Sequence, residues 1–155
     1  MNSSHLNLKS MLDQNRPYCR VEIDRVFNRV KAAMHVTALV SGKSKGLTQA
    51  HYYDAYTGKE LIGGDAYEYE HIRSSEEIHT RYKSILTDEQ IALVVNCVEN
   101  VAVTLTSINK AKGKKKMEDW LRNNDNIVTY GINLKLALTK LKKADDGIER
   151  IVKWF

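Results

Sequence analysis

The sequence predicts an α+β domain with strands at its centre and helices at both ends. Three observations predict this class. Between residues 18 and 40 apolar side chains recur at helical spacing. Residues 52–72 alternate aromatic and polar side chains and contain the turn sequences "TGK" and "GGD". A valine-rich run, 97–105, leads directly into another helical stripe. The 155 residues suffice for one domain with its own core.

The N-terminal part, residues 1–50, is predicted to be a helical scaffold. Its helix covers residues 18–40, follows Pro17, and is expected to end at the stop signals Gly42 and Gly46.

The centre is predicted to hold a hairpin or two short strands, the second over residues 66–72 and ending in Glu70 and His71. Side chains that follow one another on a strand point to opposite faces. Glu70 and His71 should therefore face different sites unless the strand ends or bulges there. A loop follows, and then a helix that starts near Thr87, where "TDEQ" has the form of a capping box.

The remaining segments are predicted from the spacing of apolar residues and from the glycines that interrupt it. Residues 97–105 are predicted to form a strand, and residues 106–124 a helix that Gly113 interrupts, at about 1 kcal/mol relative to alanine. Residues 123–155 form a basic C-terminal part whose amphipathic helix contains Gly147 as a kink site.

Charge and cysteine content restrict the function. Residues 1–90 carry 12 Lys/Arg and 12 Asp/Glu, whereas residues 91–155 carry 12 and 7, which accounts for the net charge of +5. A basic half favours a polyanion partner, most simply nucleic acid. Cys19 and Cys97 are too few for a disulfide framework or a four-cysteine zinc site. No apolar run is long enough to span a bilayer, so we expect no membrane association. The N-terminus lacks the apolar core of a secretory signal, as a domain of a larger secreted protein also would. We expect a cytoplasmic site of action, including that of a target cell into which such a larger protein delivers the domain.

Polar residues in the centre suit phosphodiester chemistry. Such hydrolysis needs a base for water and a cation at the leaving oxygen. His71 can act as the base, and Glu70 and Asn109 offer hard oxygen ligands for Mg²⁺. Lys112 lies three residues after Asn109, on the same face of a helix.

The order "YTGKELIGGDAYEYEHI … ENVAVTLTSINKAKGK" resembles the HNH endonuclease motif, the ββα-metal fold in its asparagine-terminated form. The resemblance covers residues 53–122. It implies a ββα-metal core with flanking N-terminal and C-terminal helices, and an enzyme that hydrolyses DNA.

The resemblance also implies roles. His71 would be the general base, and Asn100 would hold the loop and orient His71. Glu70 and Asn109 would bind the metal, with Mg²⁺ expected and Mn²⁺, Ni²⁺ or Zn²⁺ left open. A run of lysines would contact substrate phosphates. This lysine run comprises Lys110, Lys112, Lys114, Lys115 and Lys116.

Some assignments have rivals. The family more commonly has aspartate where this chain has Glu70. Glu77 and His79 lie in the long interval before Asn100 and compete for a metal role. Asn96 is an alternative counterpart of Asn100, which is preferred because "ENVAV" leads directly into the strand.

The expected function is a metal-dependent DNA endonuclease that leaves 3′-hydroxyl and 5′-phosphate ends. A phage or restriction nuclease and a toxin module delivered into a target cell are the settings considered. The toxin is favoured, and it would require an immunity protein with an acidic surface. A non-catalytic nucleic-acid-binding module and an RNase on the same fold are the alternatives.

Overall fold

The computed structural model of the chain describes residues 12–40, 50–62 and 65–155, with Val40 described for its backbone alone. These ranges form a mixed α+β fold, which confirms the predicted class. The predicted stop signals Gly42 and Gly46 and the two glycines of "GGD" lie outside the described residues. The elements are, in chain order, α1 (Arg20–Val40), β1 (Tyr52–Tyr53), β2 (Glu60–Leu61), β3 (Tyr67–His71), α2 (Ser75–Tyr82), α3 (Asp88–Val95), a 3₁₀ turn (Val98–Asn100), β4 (Val101–Leu105), α4 (Thr106–Lys112), α5 (Met117–Arg122), α6 (Asn124–Tyr130) and α7 (Leu134–Val152).

Strands β3 and β4 form the antiparallel pair on which the candidate site is built. Tyr67 lies opposite Leu105 and His71 opposite Val101. β4 runs into α4 without a linker, and α4 packs against both strands. β1 and β2 pair with each other in a separate small sheet. The strand predicted over 66–72 is therefore present, and its partner is β4.

Two helices occupy the long connection between β3 and β4. The capping box predicted at Thr87 is confirmed, because its hydroxyl accepts from the Gln90 backbone N–H and the Gln90 side chain accepts from the Thr87 N–H. The loop predicted before it was wrong, because α2 forms there. Ser74 caps α2 by accepting from the Glu77 backbone N–H at 3.1 Å. The polar segment 74–77 shows no apolar stripe, so periodicity did not reveal this helix.

Glycines have different roles in the two later helices. Gly113 has a φ of +53° and ends α4, as predicted. Helix α7 continues through Gly147, the predicted kink site. A Cβ at Gly147 would lie 2.9 Å from the Cβ of Glu99, and the close approach of α7 to the 3₁₀ turn requires glycine. The C-terminal part contains α6 before α7, which the sequence did not reveal.

Two apolar clusters hold these elements together. The first includes Tyr56, Ile72 and Trp120 and lies between the β3–β4 pair, α5 and α7. The second joins α1, α3 and α7 through residues such as Ile23 and Ile148. Both cysteines are free, and Cys97 is buried in the second cluster. Among the described residues, no helix has the length and apolar character needed to cross a membrane.

Candidate active site at the end of strand β3

An open cavity of about 400 Å³ lies where the end of β3, α4 and the beginnings of α1 and α2 meet. Five of the sequence-predicted site residues line it, namely Glu70, His71, Asn109, Lys112 and Lys114. Strand β3 ends at His71. Side-chain alternation along the strand therefore does not exclude Glu70 and His71 from one cavity.

The imidazole of His71 is held between α1 and the end of α3. Its ring lies 4.2 Å, centroid to centroid, from the ring of Phe27 on α1. Its Nε2 lies 2.8 Å from Oδ1 of Asn96, the residue that caps the C-terminus of α3. The helical N-terminal part thus supplies one wall of the site, which no sequence motif indicated.

The hydrogen bonds that the Asn96 side chain makes determine which nitrogen of His71 carries the proton. The Asn96 amide nitrogen donates to the backbone carbonyls of Ile23 at 3.1 Å and Ala92 at 2.9 Å. Asn96 Oδ1 is therefore an acceptor, and His71 Nε2–H donates to it. Nδ1 then carries the lone pair that can accept a proton.

Burial lowers the pKa of His71 below its ordinary value, and the positive charge of Lys112 acts in the same direction. The hydrogen bond to Asn96 and the nearby Asp24 oppose this shift without reversing it. The imidazole is therefore neutral near pH 7, which is the state required of a general base.

This tautomer can be measured. In a long-range ¹H–¹⁵N correlation spectrum of the neutral ring, we expect His71 to show a protonated Nε2 and an unprotonated Nδ1. His35, which is exposed on α1, serves as a reference because its ring has no hydrogen bond to another described residue. A protonated Nδ1 on His71 would contradict the assignment.

Asn100 is fully buried and holds the backbone that follows His71. Its Oδ1 accepts from the Arg73 N–H at 2.8 Å, and its amide nitrogen donates to the carbonyls of Arg73 at 3.0 Å and Val95 at 2.8 Å. Asn100 thus bridges the chain after β3 to the end of α3. The holding and orienting functions expected of one asparagine are divided, because Asn100 holds the loop and Asn96 contacts the ring.

Arg73 extends this anchoring to three helices. Its guanidinium donates to both carboxylate oxygens of Asp145 on α7, at 2.8 and 3.0 Å. It also contacts Glu77 on α2 and Glu118 on α5. The bond to Asp145 contributes most to raising the pKa of Arg73 above its ordinary value. The backbone just beyond His71 is therefore fixed from several sides.

Glu70 is buried, and both of its carboxylate oxygens have partners. Oε1 accepts from the Tyr56 hydroxyl. Oε2 accepts from Lys112 Nζ at 3.2 Å, and the same ammonium donates to the His71 carbonyl oxygen at 3.0 Å. Burial, followed by the charge of Glu70, raises the pKa of the Tyr56 phenol well above its ordinary value.

Asn109 projects from α4 toward the strand. Its amide nitrogen donates to Glu68 Oε2 at 2.5 Å, which makes its Oδ1 the acceptor of the amide. Glu68 lies two residues before Glu70, so both share one face of β3. The alternation of side chains along β3 could therefore have indicated Glu68 as a neighbour of Glu70.

The donor chemistry of the cavity fits a hard divalent cation. Glu70 and Asn109 offer carboxylate and amide oxygens, and the oxygens around Lys112 already hold a positive charge. In the described part of the chain, no group of three or more His, Cys, Asp or Glu side chains is placed to hold a metal. A bound ion would therefore depend on Asn109 and on oxygens of water or substrate, which suits Mg²⁺.

The lysine run divides into buried and exposed members. Lys112 is buried, whereas Lys114 is exposed and lines the cavity beside its ion-pair partner Glu76. The other three lysines of the run are exposed, namely Lys110 on α4 and Lys115 and Lys116 just beyond it. Four of these five lysines are therefore accessible to a phosphate in this arrangement.

The rival metal ligands lie elsewhere. Glu77 accepts from Arg73 at 3.3 Å and from Arg81 at 3.0 Å, and it does not line the cavity of His71. His79 is buried near Tyr18, and burial lowers its pKa. Its Nε2 has no hydrogen-bond partner among the described residues. Neither side chain joins Glu70 and Asn109.

Comparisons of the chain with protein-family profiles, curated proteins and solved structures give no match.

Proposed function

We propose that the protein is an HNH-type endonuclease that hydrolyses phosphodiester bonds of DNA, with His71 as the general base. The observation that carries this proposal is the placement of the His71 ring, which Phe27 and Asn96 hold in the cavity that Glu70, Asn109 and Lys112 also line. The bond from Nε2–H to Asn96 leaves Nδ1 as the nitrogen that accepts a proton. The succession of β3, β4 and α4, with α4 packed on both strands, supports it further.

In the proposed reaction a water oxygen attacks phosphorus while Nδ1 of His71 takes a proton from that water. The new P–O bond forms as the bond from phosphorus to the 3′-oxygen breaks. The 3′-oxygen gains a proton from solvent, and the products carry 3′-hydroxyl and 5′-phosphate ends. Asn96 is a positioning residue, because it holds Nε2–H and so keeps Nδ1 in its accepting form.

Glu70 and Asn109 would hold the divalent cation, with Mg²⁺ favoured by these ligand types. When bound, such an ion supplies positive charge at the leaving oxygen. The proposed base and ligands lie on β3 and α4. The contacts of Asn100 and Arg73 keep the end of β3 in place.

The exposed lysines suit contacts to the DNA backbone. Lys114 lines the cavity, and its exposed neighbours extend the positive charge along the connection from α4 to α5. Contacts to phosphates position a nucleic acid but carry no base information. We therefore propose cleavage without strong sequence preference. In the toxin setting, an immunity protein with an acidic surface would cover this basic side.

The proposal is tested by incubating the purified protein with supercoiled plasmid DNA and Mg²⁺, beside a sample that contains EDTA. We expect nicked and linear DNA in the sample with Mg²⁺ and intact supercoiled DNA in the sample with EDTA. Total RNA is assayed in parallel under the same conditions. Binding without cleavage would indicate a non-catalytic nucleic-acid-binding module, and cleavage of RNA alone would indicate an RNase. Either result would overturn the DNA endonuclease.

A further inference from the structure

Lys112, the last residue of α4, is a buried cation beside the proposed metal ligands. Its Nζ contacts Glu70 Oε2 at 3.2 Å and the His71 carbonyl oxygen at 3.0 Å. The side chains of Lys112 and Glu70 are only 3% and 4% exposed, so bulk water screens this ion pair little. An ammonium is thus held by oxygens of the type that a hard divalent cation binds.

One carboxylate oxygen of Glu70 has a cation as its present partner. Its Oε1 accepts from the neutral, buried Tyr56 hydroxyl, and its Oε2 accepts from the Lys112 ammonium. A divalent cation that binds Oε2 therefore competes directly with Lys112. Two cations on one buried oxygen repel each other strongly, because the surroundings screen charge poorly.

We propose that Lys112 and a divalent cation are alternative partners of Glu70 Oε2, so that metal binding displaces the Lys112 ammonium. This inference rests on the proposed function, since it concerns the metal of that same site. Without metal, Lys112 compensates the charge of Glu70, which would otherwise be buried without an opposite charge beside it. Once displaced, its flexible four-carbon chain places the ammonium in the cavity, where it joins Lys114 as a contact for substrate phosphate.

The first test measures Mn²⁺ binding, from the electron paramagnetic resonance signal of free Mn²⁺, in the absence of DNA. Lys112→Met is expected to bind Mn²⁺ more tightly than the wild type, on the order of tenfold or more, because the competing cation is gone. Adding Glu70→Gln to this variant should remove the gain. Lys135→Met, at an exposed lysine of α7, should bind as the wild type does. Equal or weaker binding by folded Lys112→Met would overturn the proposal.

The second test uses the wild type and so does not depend on the folding of a variant. Lysines are labelled by reductive methylation, and the modification of each is read by mass spectrometry. Lys112, which is 2% exposed, should be protected without Mn²⁺ and become labelled when Mn²⁺ binds. The exposed Lys110 should be labelled equally in both samples. Continued protection of Lys112 at saturating Mn²⁺ would overturn the displacement.

The outcomes of these tests distinguish an error in the displacement proposal from an error in the nuclease proposal. If Mn²⁺ binds, DNA is cut and Lys112 stays protected, the displacement is wrong and the nuclease proposal stands. If Mn²⁺ releases Lys112 while plasmid and RNA remain intact, the displacement is supported and the nuclease proposal is wrong.

Discussion

Replacing His71 with alanine is expected to lower the rate of plasmid cleavage by roughly 10²–10⁴-fold, the usual contribution of a general base. The imidazole is neutral, oriented by Asn96 and part of the cavity that holds the proposed metal ligands. Alanine provides no atom that can accept the proton of the attacking water. DNA binding should change little, because the exposed lysines proposed to contact phosphates are untouched.

His35→Ala is the matched control, since this histidine is exposed on α1 and does not line the cavity of His71. The His71 variant loses the donor to Asn96 Oδ1, which costs about 1–3 kcal/mol of stability. Both variants are therefore compared by circular dichroism and by DNA affinity before their rates are measured. Cleavage by folded His71→Ala at the wild-type rate would exclude His71 as the base.

Replacing Asn100 with alanine is expected to lower the free energy of unfolding by at least about 3 kcal/mol. The variant leaves the Arg73 N–H and the carbonyls of Arg73 and Val95 buried without their present partners. Each such group costs about 1–3 kcal/mol when it is left unpaired. Since single domains are stable by only about 5–15 kcal/mol, this loss would leave the fold marginal.

Urea denaturation measures this effect against Asn28→Ala. Asn28 is exposed on α1, and its replacement should change stability by no more than about 0.5 kcal/mol. A loss below about 1 kcal/mol for Asn100→Ala would show that other contacts hold the chain after β3.

Features with local causes could be predicted from the sequence. The capping box at Thr87 and the end of α4 at Gly113 depend on residues within a few positions of each other. Helix α2 was missed because its segment is polar and its stability comes from a serine cap and from packing. That β3 pairs with β4, rather than with the strand before it, depends on chain segments far apart in sequence.

The separate roles of the two asparagines at the site could not be predicted from local sequence either. Asn96 and Asn100 lie four residues apart, and both are suitable hydrogen-bonding residues. Their roles separate only because Asn96 caps α3 while Asn100 ends the 3₁₀ turn. Phe27 was not foreseen for a related reason, since its contact with His71 joins α1 to β3 across the fold.

The lysine run shows how composition can conceal burial. In sequence, Lys112 is one of several adjacent lysines, and a role at substrate phosphate was the natural expectation. In the folded chain it reaches inward to Glu70 while its neighbours face solvent. Only the packing of α4 on β3 distinguishes it.

The chemistry of the DNA ends tests the proposed hydrolysis most directly. Supercoiled plasmid is incubated with the wild type and Mg²⁺, and the purified DNA is then treated with DNA ligase without any other enzyme. Ligase requires a 3′-hydroxyl and a 5′-phosphate, so water attack with departure of the 3′-oxygen predicts that the nicks are resealed. Plasmid that stays supercoiled while the protein is bound, or nicks that ligase cannot close, would contradict the proposed reaction.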